Sequence, residues 1–283
     1  MPEHAIVYVH GISHHDVGYS DEWFEALSPH LSRQLPKHEV RWSDIVNSEA
    51  MTYGASSSDY EAEYAAEQEL KRQIEEELEQ RRRRNRQPTS DPPPPNAEAV
   101  YGAGLSALDD FVRYMLWEST RENILSRFDD VVRPLLEQGQ HLHVLAHSWG
   151  TVVSYEGLRR LDTAGLPGRV ANLVVLGSAL SIGPVQSNLL GRVQSGSKPG
   201  LVDRMINIDA GGDVVGGDIS PPFDVDAQHL DTLPTGCSTF FVRRIFGRRI
   251  ARSPVCAHSS YFDTDNVAVN RDIIAAAINR SLA

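Results

Sequence analysis

The sequence predicts an α/β protein with a mainly parallel sheet of about six strands flanked by helices. Two observations carry this. Short β-rich apolar runs alternate with longer helical patterns. One of those runs, VANLVVL at 170–176, is apolar throughout, as a strand buried on both faces must be. A chain of 283 residues suffices for one sizeable core, so residues 1–283 read as a single domain, with an inserted segment at 47–100.

The elements follow in order. Ala5 to Val9 (AIVYV) is a strand ended by His10-Gly11. Asp21 to Leu35 carries Trp23, Phe24, Leu27, Leu31 and Leu35 near a 3.6-residue period, a helix that Pro36 ends. His38 to Trp42 is a second strand. Ser57 to Gln87 changes character: it is a highly charged helix of strong helix formers. Its apolar stripe is narrow, Tyr60 and Tyr64 and then Leu70, Ile74 and Leu78. Ser58 or Asp59 can cap it, and arginines at its end suit the helix dipole. PTSDPPPPN at 88–96 then breaks any helix. Such an insert can serve as a cap or lid, with Tyr53, Tyr60 and Tyr64 toward a pocket, or simply as a solvated helix. Leu105 to Leu136 reads as two amphipathic helices with a break near Ser119. Leu142 to Ala146 is a strand, Thr151 to Leu161 a helix, and Asp203 to Ile208 a strand. Ser238 to Ile245 and the segment up to Ala257 are expected to supply the last strand. Val267 to Ile278 closes the chain as a helix.

Composition excludes several classes. The hydrophobic share is 41% and the charged share 23%. No apolar run reaches the length of about 18 residues that a membrane-spanning helix needs. MPEHAIVYVHGI has no basic region before a long apolar core, so no signal peptide is expected and the cytoplasm is the default location. The formal net charge of −11 argues against nucleic acid as a partner. FVRRIFGRRIAR at 241–252 is a local exception with five arginines, a solvated edge or a patch for an anionic partner. Two cysteines, Cys237 and Cys256, are too few for a disulfide framework; they could pair with each other, but free thiols are the expectation.

The chemistry concentrates at HLHVLAHSWGTVVSYEGL, residues 141–158. Ser148 falls where a strand turns sharply into a helix. Parallel sheets present ligands at the carboxyl ends of their strands. Ala146 and Gly150, two positions either side of Ser148, are small, as such a turn demands. Small-x-Ser-x-Gly between a strand and a helix resembles the nucleophile elbow of the α/β-hydrolase superfamily, G-x-S-x-G, with alanine at its first glycine.

The resemblance implies the α/β-hydrolase fold, an acyl-transfer reaction and a chain order of nucleophile, acid, histidine. A serine hydroxyl needs a base to take its proton. His258, late in the chain after an apparent strand, is the preferred base, and His229 competes. The orienting carboxylate belongs in the glycine-rich loop after DRMINI. Asp213 is preferred there, with Asp209, Asp218 and Asp224 as alternatives. YVHGI is similar to the His-Gly oxyanion segment of lipases and esterases. By that similarity Ile12 is the expected backbone donor with Gly11 next, and Trp149 supplies the second N–H. The His-Gly strand begins at residue 5, so the resemblance implies a reduced sheet of about six strands without the family's first two, as in small bacterial lipases. HSWGT paired with HSSYF also resembles lipase-like hydrolases acting on lipid-linked esters.

The resemblance thus implies a serine hydrolase for small-molecule or lipid carboxylic esters. The same residues would serve thioesters or amides, and an interaction protein built on this fold would lack the chemistry. No cofactor is expected. GAG at 102–104 and GGDVVGG at 211–217 do not make a dinucleotide motif, and H-E-x-x-H is absent. His10, His14, His15 and Asp16 could hold a metal, but polar residues beside a pocket explain them and no metal is expected.

Overall fold

The computed structural model describes residues 2–11, 15–45, 57–85, 108–235, 240–242, 249–251 and 254–283. Its centre is a six-stranded sheet in the order β2-β1-β3-β4-β5-β6, with every neighbouring pair parallel. The strands are β1 (His4–Val9), β2 (Lys37–Val40), β3 (His141–His147), β4 (Arg169–Leu176), β5 (Met205–Ala210) and β6 (Ala227–Thr232). Helices cover both faces, and alternate residues of one strand serve each. Val7, Val9, Val144 and Ala146 pack on one side, while Ile6, Tyr8 and Leu145 pack on the other.

The first face is covered by α2 (Ser57–Asn85), α3 (Leu108–Leu116), α4 (Glu118–Glu137), α5 (Gly150–Leu161) and α6 (Gly183–Val193). α2 joins through Leu70, Ile74 and Leu78, all buried. Each such side chain stabilises by about 1.5–3 kcal/mol before ordering costs. The charged remainder of α2 is paired along the helix, as in Glu69–Arg72–Glu76. Tyr64 departs from the expected stripe. It is half exposed, at a cleft of about 240 Å³ shared with Lys71, Asp109, Arg113 and Trp117. Tyr53 and the side chain of Tyr60 lie outside the described residues.

The second face is covered by α1 (Asp21–Leu27) and a closing helical segment. That segment runs as Val267–Val269, a π-helical turn Asn270–Ala275 and Ala276–Leu282. Asn279 ties it to the chain after α1: its Oδ1 accepts from the Ser32 N–H at 2.8 Å and its Nδ2 donates to the His30 carbonyl at 3.0 Å.

Several expectations need correction. The first helix stops at Leu27, because Pro29 begins a separate 3-10 turn at Ser28–His30. The expected break near Ser119 is present, between α3 and α4 at Trp117. The sixth strand is Ala227–Thr232, not the stretch after Ser238. It is an edge strand, half exposed and rich in polar residues, so it has no apolar run to betray it. Phe240–Val242 instead pairs antiparallel with Arg249–Ala251 in a separate two-stranded sheet. His258 itself sits on a short helix, Pro254–Ser259, and the strand before it, Arg249–Ala251, belongs to that small sheet rather than to the parallel one. Cys256 is disulfide-bonded rather than free; Cys237, the other cysteine of the sequence, lies outside the described residues. No helix among the described residues is long and apolar enough to cross a membrane.

Candidate active site

β3 delivers Ser148 to the carboxyl edge of the sheet. The strand ends at His147, and α5 starts at Gly150. The turn between them forces Ser148 to φ +57°, a region that costs a non-glycine residue of order 1–3 kcal/mol. The surroundings hold it there. The Ser148 N–H donates to the Leu176 carbonyl at 2.9 Å, and its own carbonyl accepts from the Thr151 hydroxyl at 2.6 Å. Gly150 is required because the start of α5 packs against the β1 backbone. A Cβ there would run into the His10 carbonyl oxygen and lie 2.8 Å from that of Val9. The smallness of position 150 therefore has a local cause.

Ser148, His258 and Asp213 form one hydrogen-bonded chain. His258 Nε2 lies 2.9 Å from Ser148 Oγ. His258 Nδ1 lies 3.0 and 2.9 Å from the two Asp213 carboxylate oxygens. A carboxylate only accepts, so Nδ1 carries the proton and Nε2 is left free to accept from the serine hydroxyl. Asp213 is wholly enclosed, while His258 keeps a fifth of its side chain open. Burial alone would raise the Asp213 pKa. His258, the Tyr261 hydroxyl and the Gly216 backbone outweigh it and hold the carboxyl at about 2. Tyr261 donates to Oδ2 at 2.6 Å, and the Val215 N–H donates to Oδ1 at 2.8 Å.

The alternatives fall elsewhere. Asp209 is the penultimate residue of β5, buried beside Asp213; burial, Asp213 and Asp231 push its pKa up to about 8. Asp218 accepts from the Ser220 N–H two residues on, and the Asp224 N–H donates to the Gly196 carbonyl. His229 lies within β6, opposite Ile208.

Gly11 reaches the serine: a Cβ on it would lie 2.6 Å from Ser148 Cβ. Trp149 directly precedes the first turn of α5, where backbone N–H groups have no partner within the helix. Ile12 and His14 lie outside the described residues. His10 has both ring nitrogens engaged. Nε2 accepts from the Trp42 N–H at 3.1 Å, so Nδ1 carries the proton and donates to the Gly11 carbonyl. Burial, with the neighbouring His15 second, drives its pKa down to about 3. Among the described residues, no group of His, Cys, Asp and Glu is arranged to hold a metal ion.

Three contributors went unread in the sequence. Tyr261 bridges Asp213 and the Ala210 N–H. His147 donates from Nε2 to the His258 carbonyl at 2.7 Å and lies ring to ring with it at 4.6 Å. Gly177 follows β4 at φ +52°. A Cβ there would stand 2.7 Å from Asp213 Oδ2, 2.9 Å from His258 Nδ1 and 2.9 Å from the Tyr261 ring. A glycine directly after a continuous apolar strand was the available signal for the last of these.

Comparison of the chain with known protein families, with characterised proteins and with solved structures yields no match.

Proposed function

We propose that this chain is a serine hydrolase of α/β-hydrolase type that cleaves carboxylic esters. One observation carries the reading: a serine held at positive φ at the end of a parallel strand, 2.9 Å from an imidazole whose other nitrogen is fixed by a buried carboxylate.

The mechanism follows from that chain. Ser148 Oγ attacks the ester carbonyl carbon as its proton passes to His258 Nε2. Asp213 stabilises the imidazolium without taking a proton itself. Negative charge builds on the carbonyl oxygen, which the N–H of Trp149 and a second donor at Ile12 or Gly11 would receive. The tetrahedral intermediate collapses, and His258 gives its proton to the departing alcohol. A water molecule then loses a proton to His258 as it attacks the acyl-enzyme carbon; the bond to Oγ breaks, His258 returns the proton to Ser148 Oγ, and the acid is released.

Labelling with a fluorophosphonate probe tests this. The wild-type chain is expected to label at Ser148. Ser148→Ala is expected to lose labelling and to lower p-nitrophenyl ester turnover by about 10⁶-fold. A wild-type chain that stays unlabelled, or an alanine variant with normal turnover, refutes the reading.

A further inference from the structure

The inserted helix α2 reaches the loops beside the site through Arg81, with Glu77 next to it. Arg81 lies a turn beyond Leu78, near the end of α2, and crosses to two loops at the carboxyl edge of the sheet. Its Nη1 donates to Ser181 Oγ at 2.8 Å and to the Gly216 carbonyl at 3.0 Å. The carbonyls of Val214 and Val215 lie at 3.4 Å from the same nitrogen. Nη2 donates to the Ser181 carbonyl and to Glu77 Oε1, each at 2.6 Å. Glu77 in turn accepts the Gly183 N–H at 2.9 Å on its other oxygen. Ser181 closes the arrangement by donating from its hydroxyl to the Val215 carbonyl at 2.7 Å.

These contacts converge on residues 214–216, the stretch directly after Asp213. The Val215 N–H from this stretch donates to Asp213 Oδ1. A relay therefore runs from Arg81 through the loop backbone to Asp213, then to His258 and Ser148. A guanidinium suits the task because its planar fork presents five donors in a fixed geometry over Nε and two terminal nitrogens, whereas an ammonium offers three from a single atom. Arg81 is about a fifth exposed, so its bonds to carbonyls are partly shielded from water.

We infer that Arg81 is a positioning residue: from the inserted helix it holds the loop that carries Asp213, and so keeps that carboxylate aimed at His258. The inference rests on the hydrolase reading above. It makes the insert a strut for the acid loop, docked in place through Glu77 and Arg81.

A double-mutant cycle on p-nitrophenyl acetate tests it. Arg81→Met keeps the stem and removes the fork. It is expected to lower kcat by about 10–100-fold and to leave KM within about 3-fold. In an Asp213→Asn background, where the relay's target is already disabled, the same change is expected to cost less than about 3-fold. Ser181→Ala removes a single hydroxyl from the relay and keeps the test alive should Arg81→Met fail to fold. It is expected to lower kcat by about 3-fold at constant KM. Wild-type kcat in Arg81→Met, an equal loss in both backgrounds, or a rise in KM alone overturns the inference. So does a folding failure of Arg81→Met joined to an unchanged kcat in Ser181→Ala. Fluorophosphonate labelling of the wild-type chain separates the two readings: labelling with no relay effect sinks only the role of Arg81, while no labelling sinks both.

Discussion

The two ends of the sheet each carry a hydrogen-bonded histidine, and they use it in opposite ways. At the carboxyl end, His258 faces the Asp213 carboxylate and stays partly open. At the amino end, His143 is fully enclosed among amide and imidazole partners. Asn172 Nδ2 donates to His143 Nδ1 at 2.9 Å, so His143 Nε2 carries the proton and donates to His4 Nδ1 at 3.1 Å. That network has a use for the neutral forms only. Burial, followed by repulsion from His4, drives the His143 pKa down to about 3, and burial lowers that of His4 as well. The lesson is that the neighbour decides what a histidine does. A carboxylate beside an imidazole favours its protonated form, whereas burial among neutral partners keeps His143 unprotonated.

The largest effect that sharpens this contrast is at the carboxylate. Asp213→Asn keeps the shape but puts a donor where His258 needs an acceptor, favouring the wrong tautomer. It is expected to lower kcat by about 10⁴-fold with little change in melting temperature. Steady-state ester kinetics checks it, and if Asp209→Asn gave the larger loss, the acid would have been misassigned.

The second effect belongs to the amino end. His143→Leu leaves His4 and Asn172 with unmatched polar groups and is expected to cost about 2–4 kcal/mol in urea unfolding at pH 8. Turnover per folded molecule is expected to stay within about 2-fold. The same variant should alter the pH dependence of stability. The unfolded chain binds protons on these histidines below about pH 6.5, where the folded chain does not. Stability therefore falls as pH drops from about 6.5 toward 3. Without His143 that slope should be shallower. The Asp213 contribution lies lower: it is present above the unfolded carboxyl pKa and is lost as pH falls toward about 2. Equal slopes in the two proteins would break the contrast.

The smallest effect is at Tyr261. Tyr261→Phe removes one donor from Asp213 and leaves the Ala210 N–H without its partner. An expected loss of about 10-fold in kcat reflects one hydrogen bond to a charge. A pH–rate profile and a melting curve, taken together, separate this from simple destabilisation.

Local features were legible and distant ones were not. The sharp turn at Ser148 could be read because the small residues that flank it, Ala146 and Gly150, lie within the same stretch of chain, although the clash that keeps position 150 a glycine comes from the carbonyls of Val9 and His10. The parallel α/β architecture was readable for the same reason, since apolar runs such as VANLVVL report their own burial. Asp213 could be preferred over Asp209, but only the folded loop separates them: a carboxylate's role depends on which one the His258 ring reaches. Tyr261, His147 and Gly177 matter through partners as much as 111 residues away, and no periodicity records that. The edge strand Ala227–Thr232 escaped because solvent accepts the polar side chains that an inner strand would exclude.

Synthesis from the amino terminus gives the closing helix a temporal meaning. Asn172 also donates to the Ser281 hydroxyl at 3.0 Å, and Asn279 clasps His30 and Ser32. A nascent chain can assemble its strands in sequence as they leave the ribosome. These anchors nonetheless wait for residues 279–281 to emerge, more than a hundred positions after Asn172. Until then the amino-end network is missing one of its acceptors, and the part of the second face that the closing segment covers stays open.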